Sequence, residues 1–412
     1  MNLLRTLFLS LAAVTVLSAC SANKTATPAK QPQAAPEVQA TADSVVVGAA
    51  RTDAYVPLLR GKRLALLSNQ TGIVGQKHVL DIMLEHGLDV KVIFSPEHGF
   101  RGKADAGELV KSSIDEKTGI PIASLYTGRS PYPADSIMAK FDVVVIDLQD
   151  VGLRFYTYYV TMCHMMEAAA QSGKEVVVLD RPNPNGMTVD GPILDMSLKS
   201  GVGYLPIPTV YGMTMGELAQ MANGEEWLKG GAQCPLTVIK CLNYTHKTRY
   251  KLPVAPSPNL PNMLSIYLYP SLCYFEGTTV SLGRGTDFPF QVYGHPAMTG
   301  RDFSFTPTSR FGAKTPPQQD QLCHGVDLRG IDPEEAIEQG INLQYVIDAY
   351  QDLAKQGKQF FLKNGFFDKL MGTTRVRQMI EQGKSAQEIK QSWQADDEKF
   401  KQQRKKYLIY PE

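Results

Sequence analysis

Between residues 62 and 179 the sequence alternates short apolar runs with helical patterns, and this alternation limits the folds open to the chain. The apolar runs, rich in β-branched and aliphatic residues, lie at 62–68, 89–93, 141–148 and 174–179. Apolar residues with helical spacing lie at 78–87 and 158–172. Strands and helices in this order are typical of parallel βαβ units. We therefore predict an α/β fold with a doubly wound, mostly parallel sheet.

Acidic residues follow three of the predicted strands. Glu97 follows the second run, Asp147 lies at the end of the third with Asp150 just beyond it, and Asp180 follows the fourth. The carboxyl ends of parallel strands lie along one edge of a sheet, which is where open α/β sheets bind their ligands. We therefore predict a polar pocket at this edge, although each acid alone is also typical of an ordinary turn.

The stretch from Ser95 to Gly102 carries the strongest candidate for acid–base chemistry. Glu97 is followed by His98, and an aromatic residue, Phe100, lies close by in the sequence. An apolar neighbour raises the pKa of a carboxyl group by desolvation, as a general acid requires. The alternative is a loop ion pair between Glu97 and Arg101 without a chemical role.

The composition and net charge indicate a globular protein that does not bind nucleic acid. The chain has 412 residues, of which 43% are hydrophobic and 20% charged, as expected for a globular protein of about two domains. The formal net charge is +1, and no basic stripe carries interleaved aromatic residues, so we predict no nucleic-acid partner.

Several sequence motifs with known chemistry are missing. The sequence contains no G-x-G-x-x-G after a strand, no P-loop, no H-E-x-x-H and no G-x-S-x-G. The six cysteines form no C-x-x-C pair. These observations favour a protein without a metal or an organic cofactor, and they disfavour a serine hydrolase. Whether Cys234 and Cys241 form a disulfide stays open.

The N-terminal residues have the pattern of a targeting segment. Residues 1–19 combine one positive charge, at Arg5, with a short apolar run. The sequence from Leu17 to Cys20 resembles the bacterial lipobox, in which the cysteine is acylated after the signal peptide is removed. We predict a lipoprotein signal peptide at 1–19, lipidation at Cys20 and a disordered tether at 20–43, because 21–43 contains almost no large apolar residue. The protein would then be anchored to a membrane of the cell envelope, on the periplasmic or outer-membrane side.

The remaining chain divides in character near residue 296. We predict a catalytic domain over 44–296 and a smaller α+β domain over 297–412. Helices in the second part are predicted near 332–339, 342–356 and 386–405, where apolar residues follow helical spacing.

Several motifs in combination resemble one known family, the YbbC-like exo-β-N-acetylmuramidases (glycoside hydrolase family 171). They lie at 95–102 (SPEHGFRG), 147–158 (DLQDVGLRFYTY), 179–186 (LDRPNPNG), 256–259 (PSPN) and 276–278 (EGT). The resemblance covers roughly residues 45–410. It implies a Rossmann-like domain, a smaller C-terminal domain, a cleft between them and removal of terminal N-acetylmuramic acid from the non-reducing end of peptidoglycan fragments.

The resemblance also implies that Glu97 is the catalytic acid. Glycoside hydrolysis needs a second group at the sugar carbon, for which we expect Asp147 or Asp150, with Asp180 as another candidate. The 2-acetamido group of the substrate is the alternative nucleophile. The lactyl carboxylate of muramic acid favours a guanidinium partner. The predicted substrate-binding residues are His98, Arg101, Arg154, Tyr156, Asp180, Asn183, Glu276 and Arg284.

A different function fits the same pattern. A non-catalytic, muropeptide-binding envelope lipoprotein would use the same crevice to hold a sugar without cleaving it. An esterase or amidase is less favoured, because the sequence contains no clear nucleophile.

Overall fold

The computed structural model describes residues 44–96, 100, 112–125 and 130–412, and the fold is given for these residues. The strands are β1 (Arg63–Ser68), β2 (Ile73–Val74), β3 (Lys77–His78), β4 (Asp89–Ser95), β5 (Ser113–Ile114), β6 (Pro121–Ser124), β7 (Val143–Asp147), β8 (Glu175–Leu179), β9 (Leu236–Ile239), β10 (Val292–His295), β11 (Phe303–Phe305) and β12 (Cys323–Asp327). The helices are α1 (Thr52–Leu59), α2 (Val79–Glu85), α3 (Asp135–Met138), α4 (Tyr158–Gln171), α5 (Met215–Gly224), α6 (Met263–Leu272), α7 (Pro333–Gln339), α8 (Gln344–Lys355), α9 (Phe366–Met371), α10 (Arg375–Glu381) and α11 (Ala386–Arg404).

The largest sheet in the described part of the chain has seven strands in the order β5-β6-β4-β1-β7-β8-β9. Strand β5 pairs antiparallel at one edge, and every other neighbouring pair is parallel. The parallel strands, numbered along the chain, follow the order 3-2-1-4-5-6, which is that of Rossmann-like doubly wound sheets. The predicted α/β fold is confirmed. The strand order reverses between β1 and β7, so this is the topological switch point.

Alternating residues of the central strands pack into hydrophobic clusters on the two faces of the sheet. In β1, Leu64 and Leu66 belong to one cluster, whereas Ala65 and Leu67 belong to the other. All four side chains are fully buried. Parallel sheets covered on both faces require such continuous apolar strands, which explains why the apolar runs were visible in the sequence.

Local signals in the sequence set the ends of several helices. Thr214 and Glu217 form a reciprocal capping box at the start of α5, as their spacing predicts. Gly87 follows α2 with a φ of +70°, a left-handed conformation that glycine adopts without the strain of a side chain. The first turn of α7 combines an Asp332 cap with Pro333 at the first helical position.

The C-terminal part contains a small antiparallel sheet, in the order β10-β12-β11, and the helices from α7 onward. Helices α7, α8 and α11 confirm the three helices predicted there. The last residues return to the large sheet, where the Tyr410 hydroxyl donates a hydrogen bond of 2.7 Å to Oδ2 of Asp180. The domain boundary at residue 296 stays a prediction.

Candidate active site

A cavity of about 820 Å³ lies at the N-terminal end of α4. Its walls come from the segment before α4, from α4 itself, from the loops around residues 257–260 and 312–316, and from Leu125 directly after β6. Its volume is near the upper end of the range of roughly 300–1,000 Å³ that small-molecule sites occupy. The cavity is therefore large enough for more than a single sugar.

Aromatic residues form one wall of the cavity. Tyr156 and Tyr158 pack edge to face with ring centroids 4.7 Å apart, and both hydroxyls donate to the carbonyl oxygen of Pro256, at 2.8 and 3.2 Å. Tyr269 contacts Tyr156 at 6.3 Å between centroids. Because two hydroxyls hold the Pro256 carbonyl, the loop that contributes Ser257 to the cavity is fixed in place. Such walls suit the flat apolar faces of a sugar ring.

A charged pair also lines the cavity. Arg284 and Glu276 both line the cavity and form an ion pair of 2.5 Å from Nη2 to Oε1. Their side chains stay 18% and 22% exposed, so both charges remain accessible to a ligand. The Arg284 guanidinium also lies over the Phe290 ring, 5.0 Å from its centroid. Of the described acidic residues, Glu276 is the one that lines the cavity.

Asp147 ends β7 at the carboxyl edge of the sheet, as predicted, but its carboxylate is not available to a ligand. Arg181 donates to both oxygens, from Nε at 2.5 Å and from Nη2 at 2.9 Å, and both side chains are almost completely buried. Arg181 Nη2 also donates to the carbonyl oxygen of Ile73 at 3.1 Å. Both carboxylate oxygens of Asp147 are therefore occupied by an internal ion pair, and the structure does not favour Asp147 as a catalytic group.

Asp150 is also engaged inside the protein. Its Oδ1 accepts hydrogen bonds from the Gly152 amide at 2.6 Å and from the Tyr211 hydroxyl at 2.5 Å. Burial raises the pKa of Asp150 to about 6. Gly152 has a φ of +76°, and a side chain there would collide with Asn183. This packing gives Asp150 a part in shaping the turn, and it does not line the cavity.

Asp180, Asn183 and Arg154 are buried as well. Asp180 accepts from Thr214 Oγ1 at 2.7 Å and from the Gly216 amide at 2.8 Å, and burial raises its pKa to about 6. Asn183 Nδ2 donates to the Met213 carbonyl oxygen at 2.8 Å. These contacts connect the loop after β8 to the start of α5, and neither side chain lines the cavity.

Arg154 is fully buried, and burial lowers its pKa. Its guanidinium donates to the carbonyl oxygens of Pro192, Ile207 and Leu370, at 2.5, 2.8 and 3.1 Å. It thereby connects three separate segments of backbone. Its donors are directed at the protein interior, which does not favour the predicted contact with a substrate carboxylate.

Of the predicted site residues, the structure brings Tyr156, Glu276 and Arg284 together at the cavity. Glu97, His98, Arg101 and Cys20 lie outside the described residues. The strand that precedes Glu97 is described: β4 pairs with β6 at Ser95 and Ser124, and the amide of Leu125 donates to the Ser95 carbonyl oxygen at 3.0 Å. Since Leu125 lines the cavity, the carboxyl end of β4 lies beside it.

Several residues of the cavity were not predicted from the sequence. They are Thr161, His164, Tyr269 and Phe290. For Thr161 and His164 the sequence contained a usable signal, because they follow Thr157 at the spacing of one helix face. For Tyr269 and Phe290 we find no such signal, since only the packing of separate segments places them there.

The described residues contain neither a metal-binding cluster nor a membrane-spanning helix. No group of three or more His, Cys, Asp or Glu side chains in these residues could hold a metal ion. None of the helices that the structure describes is long and apolar enough to cross a membrane.

Two family models match most of the chain. The model described as exo-β-N-acetylmuramidase NamZ, N-terminal, matches residues 64–264, and its C-terminal counterpart matches residues 267–410. The peptidoglycan β-N-acetylmuramidase NamZ of Bacillus subtilis (strain 168) is 40% identical over 382 residues, which cover 86% of this chain and 89% of that protein.

Two solved structures have the same fold, both of DUF1343 family proteins from Bacteroides fragilis. One is 58% identical with a TM-score of 0.84, and the match covers 90% of this chain and 99% of that one. The other is 26% identical with a TM-score of 0.76, and the match covers 89% and 99%. The family models, the curated relative and these structures agree, and the chain belongs to the exo-β-N-acetylmuramidase NamZ family.

Proposed function

We propose that the protein is an exo-acting glycoside hydrolase that releases terminal β-linked N-acetylmuramic acid from the non-reducing end of peptidoglycan fragments. The observation that carries this proposal is the match of both family models, together with the 40% identical relative named peptidoglycan β-N-acetylmuramidase. The cavity supports it with a group of aromatic rings and one accessible guanidinium, which are the features that an acidic sugar requires.

Arg284 is the proposed partner of the lactyl carboxylate of muramic acid. Three arginines were candidates for this contact from the sequence. Arg154 donates its hydrogen bonds to backbone carbonyl oxygens, and Arg101 lies outside the described residues. Arg284 lines the cavity and is partly exposed. Its pairing with Glu276 orients the guanidinium and leaves Nη1 for a substrate oxygen.

Glu97 is the proposed general acid that protonates the departing glycosidic oxygen. Its place in the sequence, two residues after the end of β4, supports this role, because that end of β4 lies beside Leu125 of the cavity wall. The burial of Asp147 and Asp150 favours the 2-acetamido group of the substrate as nucleophile over either carboxylate. A carboxylate would then serve only to orient that group.

The direct test is hydrolysis of a chromogenic β-N-acetylmuramide and of a muramic-acid-terminated disaccharide by the purified protein. The wild type should release N-acetylmuramic acid, and Glu97→Gln should reduce kcat at least about 100-fold, because proton transfer contributes roughly 10²–10⁴ to such rates. Glu116→Gln, the same change at an exposed site, is the control. Tight binding of the disaccharide without any product would favour the non-catalytic binding protein instead.

A lipid anchor in the cell envelope is the second part of the proposal. The sequence at Leu17 to Cys20 supports cleavage before Cys20 and acylation of its thiol and amino groups. Two or more acyl chains hold a protein stably at a membrane surface. Mass spectrometry of the membrane fraction should detect an acylated N-terminal Cys20, and Cys20→Ser should move the protein to the soluble fraction. An unmodified Cys20 in the mature protein would contradict the anchor.

A further inference from the structure

The cavity continues along α4, away from its charged end. Thr157, Thr161 and His164 all line it, and their spacing of four and three residues places them on one face of the helix. Seven residues of helix span roughly 10 Å at about 1.5 Å per residue. This distance exceeds one pyranose ring and is suited to two linked rings.

Packing contacts show which end of the cavity contains the Arg284–Glu276 pair. Phe155, at the N-terminal end of α4, contacts Tyr269 at 5.0 Å between centroids. Tyr269 contacts Phe290 at 4.7 Å, and the guanidinium of Arg284 lies over Phe290. Arg284 therefore belongs to the end of the cavity at the start of α4, and His164 lies two helical turns further along.

His164 has a preorganised environment. Its ring packs edge-on against Tyr132 at 5.2 Å and Tyr204 at 4.7 Å between centroids. Both tyrosine hydroxyls donate to the fully buried carboxylate of Glu167, at 2.8 and 2.7 Å. A backbone amide, that of Lys229, donates to the same carboxylate at 2.8 Å. Since Glu167 fixes both rings, the imidazole between them has little freedom to turn.

The hydrogen-bonding atoms of His164 are its two ring nitrogens. Within the described ranges, neither ring nitrogen of His164 makes a hydrogen bond, although the side chain is half-buried. Burial lowers the pKa of His164, which favours the neutral ring at physiological pH. A neutral imidazole offers one donor and one acceptor. Two unused hydrogen-bonding atoms on a rigid cavity wall are a means of recognising a polar ligand.

We infer that this end of the cavity binds the second sugar of the substrate, an N-acetylhexosamine on the leaving-group side of the scissile bond, and that His164 hydrogen-bonds to it. The inference rests on the proposed function, because it takes the terminal muramic acid to lie at Arg284. The next sugar of the chain must then lie one ring further along α4. His164 is accordingly a residue that determines specificity for the leaving group.

The test compares two substrates that differ only in the leaving group. His164→Ala in the full chain should lower kcat/KM for a muramic-acid–hexosamine disaccharide about fivefold, the effect of one neutral hydrogen bond. Hydrolysis of a chromogenic nitrophenyl β-N-acetylmuramide, whose leaving group lacks the sugar hydroxyls and amide, should fall less than hydrolysis of the disaccharide. His164→Gln, which keeps a donor and an acceptor, should recover part of the loss. His86→Ala, at an exposed histidine outside the cavity, is the matched control.

The outcomes separate the inference from the function on which it depends. An equal loss on both substrates would assign His164 a structural role and overturn the inference alone, as would an unchanged rate on the disaccharide. A wild-type protein that hydrolyses neither substrate would overturn the proposed function and, with it, the second-sugar site.

Discussion

Arg284 approaches one oxygen of Glu276 with two of its nitrogens: Nε donates a hydrogen bond of 2.6 Å to Oε1, and Nη2 forms an ion pair of 2.5 Å with the same oxygen. This side-on pairing differs from a fork in which each nitrogen meets its own oxygen. It leaves Nη1 outside the pair, whereas the second carboxylate oxygen, Oε2, accepts a weak hydrogen bond of 3.9 Å from the Cys273 thiol. The pair therefore leaves a charged donor for a ligand of the cavity, as a sugar with a carboxylate requires.

Replacing Arg284 should weaken recognition of the acidic sugar selectively. A charge-assisted hydrogen bond contributes about 1.5–3 kcal/mol, so Arg284→Gln should weaken binding of N-acetylmuramic acid roughly 10- to 100-fold. Binding of N-acetylglucosamine, which lacks the lactyl group, should change little. Titration calorimetry of both sugars measures the difference. Arg329→Gln, at an arginine that pairs with Asp327 and does not line the cavity, is the control. An equal loss for both sugars would refute the lactyl contact.

The ion pair between Asp147 and Arg181 should stabilise the fold. Arg181→Gln leaves a buried carboxylate without its partner, which costs about 3–5 kcal/mol of unfolding free energy. Arg63→Gln removes the same group from a pair with Asp142 in which the side chains are 46% and 44% exposed. Such exposed pairs contribute about 0–1 kcal/mol. Urea unfolding of both variants tests the difference, and similar losses would contradict the assignment of Asp147 to the interior.

The raised pKa of Asp150 should make stability fall as pH rises. The pKa is about 6 in the folded protein, against 3.8 as the ordinary value. Between about pH 4 and 6 the folded state therefore holds a proton that the unfolded state has lost. The stability contributed by this group is fully present below pH 4 and is lost as the pH passes 6, by about 3 kcal/mol in all.

Asp150→Asn isolates this effect, because an amide mimics the neutral carboxyl group. The Asn oxygen can still accept from Gly152 and Tyr211. Relative to the wild type, the variant should gain stability between pH 4 and pH 7, as measured by urea unfolding at each pH. A difference that does not change with pH would show that Asp150 has an ordinary pKa.

The C-terminal residues should stabilise the edge of the sheet through Tyr410. Its hydroxyl donates to buried Asp180 and accepts from the Cys241 amide at 2.8 Å. Tyr410→Phe leaves both groups short of a partner and should cost about 1–3 kcal/mol. Tyr407→Phe removes a hydroxyl from Glu225, which keeps hydrogen bonds from Gln403 and Lys406, and should cost less. Equal melting temperatures for the two variants would be inconsistent with this role.

Much of the large sheet could be read from the sequence, because its determinants are local. The apolar runs and helix periods predicted β1, β4, β7, β8, α2 and α4 close to their observed bounds. Helix α6 was not predicted. All ten of its residues, Pro270 included, are apolar or hydroxyl-bearing, and none is charged. A helix buried on most of its surface leaves no amphipathic pattern to detect.

The candidate site was predicted only in part. The predicted strands correctly placed Asp147 and Asp180 at one edge of the sheet. The sequence could not show that Arg181 would form a hydrogen bond with Asp147, or Tyr410 with Asp180. Tyr410 lies 230 positions from Asp180. An arginine or tyrosine that hydrogen-bonds to a buried acid has the same local sequence pattern as one that binds a ligand.

The sequence by itself determined the alternation of strands and helices, the helix caps and the family, since each depends on neighbouring residues or on short motifs. The tertiary structure alone decided which acids are satisfied internally and which residues surround the cavity. The physical reason is that burial and hydrogen bonding depend on the atoms that packing brings together. Arg154 and Arg284 carry the same chemical group, but the guanidinium of Arg154 connects backbone segments in the interior, whereas that of Arg284 is an accessible charge.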